Sequence, residues 1–262
     1  MTKTHYKAIL ADLDGTVNRG DVLITGVEAV YRDLSERGVR WLFLSNNARL
    51  SASDLALKLK KLGIPVSEHQ VINSALALIH ALRREPTRQK FMVVGEAGLI
   101  RAIEAAGGTI SDDSASADIV VVALDKGFTY EKLKRAHLAI QNGALLWATN
   151  LDATFPVPEG FHPGAGSLVA AVATAAGRPP DRVFGKPSPD MAVLALETLK
   201  LPASSCLVVG DRMETDILFA RNAGMPSALV LTGATSRSDL AKYSYAPDHV
   251  LESLADIAGL FR

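Results

Sequence analysis

Four clusters of polar residues could do chemistry together. Asp12-Leu13-Asp14-Gly15-Thr16 places two acids two residues apart, followed by a glycine able to turn the chain. Ser45-Asn46-Asn47 offers a hydroxyl and two amides. Gly185-Lys186-Pro187-Ser188-Pro189 sets a cation ahead of a helix start, and Gly210-Asp211-Arg212-Met213-Glu214-Thr215-Asp216 supplies further acids. Between them they present hard oxygen ligands suited to Mg²⁺, a carboxylate able to attack, and a hydroxyl, a lysine and helix N-terminal amides able to hold a phosphoryl group. The chemistry this set points to is phosphoryl transfer. Each cluster alone also fits a turn or a helix cap, so the reading rests on all four.

Such groups must be placed by something rigid. The clusters stand at the ends of, or between, short β-branched or aliphatic runs that alternate with segments of helical period, the pattern of a parallel sheet with helices on its faces. The expected fold class is α/β. Strands are predicted over Ala8 to Leu13, Val39 to Leu44, Lys90 to Val94, Asp118 to Ala123, Leu145 to Ala148, Cys206 to Val209 and Ala228 to Leu231, mostly continuous apolar runs, as burial on both faces requires. Open sheets of this class bind ligands beyond the carboxyl ends of their strands, which is why the polar residues there matter. Val27, Val30, Tyr31 and Leu34 share a helix face ahead of Gly38, a left-handed stop. Ser51 with Asp54 marks another helix start and Gly63 its end, and Pro189 after Ser188 suits a first helical position. The alanine-rich run Ala165 to Gly177 reads as a tightly packed core helix. The stretches Arg83 to Gln89 and Gly177 to Arg182 are places where the chain could leave one unit and return, which implies an inserted domain.

Composition removes several functions. The 262 residues are 48% hydrophobic and 21% charged, enough to bury a sizeable core in one or two domains. Lys plus Arg and Asp plus Glu each number 28, so no bulk charge favours a nucleic-acid polymer or a membrane surface. No apolar run approaches the ~18 residues of a membrane span, and the polar start carries no signal-peptide pattern, so a cytoplasmic location is expected. The one cysteine, Cys206, sits in an apolar run and reads as a small buried hydrophobe. The histidines are scattered, Gly164-Ala165-Gly166 lacks the third glycine of a dinucleotide loop, Gly185-Lys186 lacks the upstream glycine of a Walker loop, and Asp112 and Asp113 read as a solvated loop.

The order of the four clusters resembles the haloacid dehalogenase superfamily of phosphohydrolases, whose motifs are DxDGT, a Ser or Thr after the second strand, a Lys, and GDxxxTD. More narrowly, Leu44-Ser45-Asn46-Asn47, Gly185 to Pro189 and Gly210 to Asp216 resemble the NagD-like, or 4-nitrophenylphosphatase-like, subfamily (class IIA). The resemblance covers essentially the whole chain. It implies a Rossmann-like, doubly wound parallel core built from residues 1–78 and 183–262, with an α/β cap of the C2a type over residues 79–182.

The resemblance also implies roles. Asp12 would be the nucleophile that forms an aspartyl-phosphate, and Asp14 would protonate the leaving alcohol and then activate water. Mg²⁺ would be held by the Asp12 carboxylate, the Asp14 carbonyl, Asp211 and waters, with Asp216 orienting that shell. Ser45 and the Asn46 N–H would hold phosphoryl oxygens, and Lys186 would neutralise charge there while steadying Asp12. Asn47 and Arg49 follow the phosphate-binding turn and either face the substrate or, for Arg49, are solvated. Ala148 to Pro156 resembles the subfamily's specificity loop, in which Asn150 and Asp152 either bond a substrate or cap a turn, and Phe155 either packs over the leaving group or joins a core. Pro163 to Ser167 looks like the turn opening the next helix.

The function so implied is a Mg²⁺-dependent phosphatase acting on small phosphate monoesters of nucleotide, sugar phosphate, phosphoglycolate or nitrophenyl phosphate type. Its partners would be the small-molecule ester and, through the cap, a second copy in a homodimer, with neither nucleic acid nor membrane. A phosphomutase, and a non-catalytic sensor of phosphorylated ligands, are the alternatives. Asp14 speaks against the sensor, which needs no positioned general acid, and against a dehalogenase, since the resembled dehalogenases lack that acid.

Overall fold

The computed structural model describes residues 6–84, 89–157 and 160–261, without the side chains of residues 156, 157 and 161. Contacts divide the chain into two units. The first comprises Met1–Ser45, Ala52–Ile72 and Lys186–Arg262, and the second Asn46–Ser51 and Asn73–Gly185. The segment 79–182 lies inside the second unit, which also takes in the residues just after Ser45. Of the stretch Arg83 to Gln89, residues 85–88 lie outside the described residues.

The first unit is built on a six-stranded sheet. Its strands are β1 (Ala8–Asp12), β4 (Arg40–Ser45), β5 (Val71–Asn73, whose last residue falls in the second unit), β13 (Cys206–Gly210), β14 (Ser227–Val230) and β15 (His249–Leu251); β2 (Asn18–Arg19) and β3 (Val22–Leu23) form a small hairpin apart. The order is β15-β14-β13-β1-β4-β5, with parallel pairing from β15 through β4. β1 therefore has its sequence successor on one side and a strand from the far end of the chain on the other. That is the switch point at which open α/β sheets bind ligands. Ile9, Leu10, Leu42, Leu44 and Val208 are buried, as continuous apolar strands covered on both faces must be.

The helices of this unit are α1 (Val27–Glu36), α2 (Ala52–Lys61), α7 (Asp190–Leu199) and α8 (Leu218–Asn222). In α1 the buried residues are Val27, Val30, Tyr31 and Leu34, the predicted face. It stops because Gly38, at φ 83°, adopts the left-handed turn that lets Val39 N–H reach Leu34 O at 2.9 Å. Pro189 occupies the N-cap of α7 rather than its first turn. Ser188 Oγ donates to the Asp190 carboxylate at 2.9 Å there, so the helix begins one residue later than Pro189 suggests.

The second unit repeats the architecture with its own five-stranded parallel sheet of order β12-β9-β8-β6-β7, formed by β6 (Lys90–Val94), β7 (Thr109–Ile110), β8 (Ile119–Val122), β9 (Leu145–Ala148) and β12 (Arg182–Val183). Its helices are α3 (Ser74–Arg84), α4 (Ala97–Ala105), α5 (Tyr130–Gln141) and α6 (Ala165–Ala176), and β10 (Thr154–Val157) pairs antiparallel with β11 (Gly160–Pro163). Met92, Val94, Val120, Val122, Leu146, Val169 and Val172 share one core. The alanine-rich helix α6 is not a core helix: only Ala165, Val169 and Val172 are buried. Its exposed residues, Ser167, Ala170, Thr174 and Ala175, are small and give little amphipathic contrast, so composition alone cannot separate a helix covered on one face from one enclosed on all sides.

The predicted strands all form, with ends shifted by no more than one residue. Strands β5, β7, β12 and β15 and the two hairpins carry too few residues for a readable period. Among the described residues, no helix is long and apolar enough to cross a membrane.

Cys206 opens β13, is fully buried, and burial pushes its thiol up to about 11. At about pH 8 the native thiolate fraction is then on the order of 10⁻³. Iodoacetamide should leave the native protein unlabelled under conditions that alkylate the urea-unfolded chain; equal labelling rates would contradict the burial.

Candidate active site

The carboxyl ends of β1, β4 and β13 lie side by side because the register pairs Asp12 with Leu44 and Ala11 with Val209. Asp12 is thus the last residue of its strand, Ser45 stands one residue beyond its level on β4, and Asp211 follows the end of β13. Lys186 comes to the same place. Its ammonium, 3% exposed, donates to Asp12 Oδ1 and to Asp216 Oδ1, each at 2.6 Å. Asp216 sits in the one-turn π-helix Met213–Ile217, where its second oxygen accepts Arg212 N–H at 3.1 Å. Asp211 Oδ2 accepts Ala234 N–H at 2.6 Å.

Three carboxylates share this interior with one ammonium, leaving two negative charges uncompensated. Burial drives the Asp12 carboxyl well above the usual carboxylate range, Asp216 and Asp211 push it further, and Lys186 opposes them. Asp211 is pushed up to about 6, first by burial and then by Asp216, against the Ala234 hydrogen bond. Burial would lower the Lys186 ammonium, but the Asp12 and Asp216 carboxylates outweigh it and hold the pKa above that of ordinary lysine. One oxygen from each of Asp12, Asp211 and Asp216 lies within 4.8 Å of the others. Asp216 has both oxygens engaged, while among the described residues Asp12 Oδ2 and Asp211 Oδ1 accept no hydrogen bond. A hard divalent cation fits this set: all-oxygen donors, two open positions and a charge deficit of two.

Asp14 lies outside that cluster and is more exposed. Asn18 Nδ2 donates to its Oδ1 at 2.8 Å, and the Lys58 ammonium stands 3.8 Å from the same oxygen. Its side chain is exposed to solvent, with one oxygen held by the Asn18 amide. Directly after Asp14, Gly15 takes φ 99°, and a Cβ there would collide with the Asp211 carboxylate. A glycine is required by both the backbone and the space.

In the second unit, Asn46, Asn150 and Asp152 come together. Asn46 Nδ2 donates to Asp152 Oδ1 at 3.2 Å, and the Asn46 carbonyl accepts Ser74 Oγ and Asn150 Nδ2, both at 2.8 Å. Asn150 Oδ1 accepts the Asp152 N–H at 3.1 Å, so the Asn150 side chain serves the loop's own shape. Gly164, Gly166 and Gly185 pack so closely on this loop that a Cβ at any of them would strike its backbone. Arg49 pairs with Glu96 at 3.6 Å, and Asn47 Oδ1 accepts Arg49 N–H at 2.9 Å. Phe155 meets His162 edge-on across the β10–β11 hairpin, with ring centres 5.8 Å apart.

Sequence reasoning passed over Asn18, Lys58, Glu96 and the loop Thr232-Gly233-Ala234-Thr235. Asn18 lies only four residues from Asp14, inside the turn that follows the motif, whereas Lys58 and Glu96 fold back on a distant acid and a distant arginine and nothing local marks them. The loop did carry a signal, since it is polar and follows an apolar strand end, the criterion that singled out the other four clusters.

A family model described as haloacid dehalogenase-like hydrolase matches residues 9–109, and one described as HAD-hydrolase-like matches residues 183–257. The chain is 37% identical over 252 residues to the 5'-nucleotidase YutF of Bacillus subtilis, covering 96% of this chain and 97% of that one. It is similar to the 4-nitrophenylphosphatase of Thermotoga maritima, with TM-score 0.90, 34% identity and coverage of 97% of both chains. It is also similar to the glycerol phosphate phosphatase of Mycobacterium tuberculosis, solved in complex with magnesium, with TM-score 0.88, 35% identity, and coverage of 98% of this chain and 77% of that one. Relatives of this closeness over nearly the full length settle ancestry: the chain belongs to the haloacid dehalogenase-like hydrolases, in their NagD-like branch, and is a hydrolase of phosphoric monoester bonds.

Proposed function

We propose that the protein hydrolyses small phosphate monoesters with Mg²⁺ through an aspartyl-phosphate on Asp12. The observation that carries this reading is the division of labour on Asp12 itself. Lys186 fixes Oδ1, and Oδ2 is left open on a carboxylate in a site that is otherwise dry. Mg²⁺, held by Asp12, the Asp14 carbonyl and Asp211, with Asp216 orienting the set, would supply screening between the anionic nucleophile and the anionic ester.

The chain's own groups then carry the steps. Asp12 Oδ2 forms a bond to phosphorus as the ester P–O bond breaks, and Asp14 delivers its proton to the departing oxygen. Water next attacks the acyl phosphate, gives its proton to Asp14, and the P–O bond to Asp12 breaks, releasing phosphate and restoring both acids. Lys186, Ser45 and the Asn46 N–H hold phosphoryl oxygens as charge shifts onto them. The second unit serves as the C2a-type cap, with Asn47, Arg49, Asp152 and Phe155 proposed to meet the leaving group and Asn150 to set the loop that presents them. Nucleotides, glycerol phosphate and nitrophenyl phosphate, on which relatives are named to act, are the esters to test first.

Three outcomes test this. Asp12→Asn should cut phosphate release from nitrophenyl phosphate by on the order of 10³-fold or more with an unchanged circular dichroism spectrum, and near-normal turnover would remove Asp12 as nucleophile. Asp14→Asn should slow steady turnover by about 10²–10⁴-fold. Because nitrophenolate leaves without a proton, that variant should still give a burst of it equal to the enzyme present, with acid-stable phosphate trapped on the protein; a missing burst would argue against the covalent route. Chelation with EDTA should abolish release and added Mg²⁺ should restore it, whereas turnover indifferent to EDTA would rule out the metal.

A further inference from the structure

The loop after β14, Thr232 to Thr235, makes four hydrogen bonds to the two motif loops of the acidic cluster. Thr232 Oγ1 donates to the Gly15 carbonyl at 2.6 Å. Ala234 N–H donates to Asp211 Oδ2 at 2.6 Å, and Thr235 N–H to the Asp211 carbonyl at 3.0 Å. Thr235 Oγ1, on a residue 4% exposed, accepts Met213 N–H at 3.2 Å. Met213 is the first residue of the π-turn that carries Asp216. Thr235 therefore spans the joint between Asp211 and Asp216, bonding one through its backbone and the other's turn through its side chain.

The Asp211 carboxylate has little choice of orientation within this frame. A Cβ at Gly233 or at Gly15 would collide with it, so the two bare glycines pack directly against the carboxylate. The Ala234 N–H claims Oδ2, and Oδ1 alone is left to face a cation. We propose that Thr235 is a positioning residue for the metal centre: by locking the 232–235 loop to the π-turn, it presents Asp211 to the cation through a single, fixed oxygen. The inference rests on the Mg²⁺ reading of the acidic cluster.

The π-turn has supports of its own. Met213 and Ile217 pack with Leu229, Leu231, Leu240 and Tyr245, and Tyr245 Oη donates to the Met213 carbonyl at 3.1 Å. Removing the Thr235 hydroxyl thus loosens the register between two carboxylates while leaving the turn packed. The hydroxyl touches neither carboxylate and acts through the Met213 N–H; loss of such outer partners typically alters metal affinity by about 10–100-fold.

The test is a titration of the full-length protein with Mn²⁺, an oxygen-seeking stand-in for Mg²⁺, following the free-ion electron paramagnetic resonance signal without substrate, alongside a thermal melt. Thr235→Val, equal in shape, should raise the Mn²⁺ dissociation constant by about 10–100-fold, and Thr235→Ser, which keeps the hydroxyl, should stay within about threefold of the parent. A Thr235→Val protein that melts earlier yet binds Mn²⁺ as the parent does would overturn the proposal and leave Thr235 a purely structural residue. If Thr235→Val fails to fold, Gly233→Ala takes its place: weakened Mn²⁺ binding supports the loop's role and parental affinity refutes it. A parent chain that takes up no Mn²⁺ at millimolar concentration would instead overturn the metal reading, and this inference with it.

Discussion

One buried ammonium holds the site together. Lys186 spans Asp12 and Asp216 at equal distance and is the countercharge that both carboxylates share in this interior. Breaking a buried pair of this sort leaves an uncompensated charge, at a cost of about 3–5 kcal/mol. The arrangement is nonetheless incomplete by electrostatics, with three carboxylates facing one cation. Folding thus keeps the centre acidic beyond what its one ammonium neutralises, and that surplus is what the proposed divalent ion would offset.

The sheet exists to make this convergence cheap. Strand β1 has parallel neighbours on both sides, so residues far apart in sequence end at one level. Rigid strands set Asp12 and Ser45, while the turns beyond β13 and β14 set Asp211 and Asp216. Glycines appear where atoms crowd: Gly15 and Gly233 against Asp211, Gly210 against Asp216. Each acid is thereby held by a strand end, a backbone N–H or a lysine, with its mobility removed before substrate arrives, as preorganised electrostatic catalysis requires.

Much of this was legible from residues alone, for identifiable reasons. Runs such as Ala8 to Ala11 and Leu146 to Ala148 are apolar throughout because both faces are covered, and such strands announce themselves. Strands β5 and β15, three residues each, do not carry a period. The four polar clusters were visible because chemistry needs rare residue types at fixed spacing. What holds them was not: Lys58 beside Asp14, Ala234 against Asp211, Glu96 beside Arg49. A backbone N–H has no residue identity to read, and a partner brought in by tertiary folding has no fixed spacing.

The long separation between β1 and β13 also shapes how the chain comes off the ribosome. β1 and β4 emerge early, and the whole second unit follows before Lys186 and β13 appear. At about 5–20 residues per second, one flank of β1 waits on the order of ten seconds for its partner, an apolar strand with unpaired backbone and a hazard for aggregation. The same wait keeps Asp12 without its ammonium. Closure of the sheet and the pairing of Asp12 with Lys186 are therefore a single late event, and a truncated nascent chain has neither.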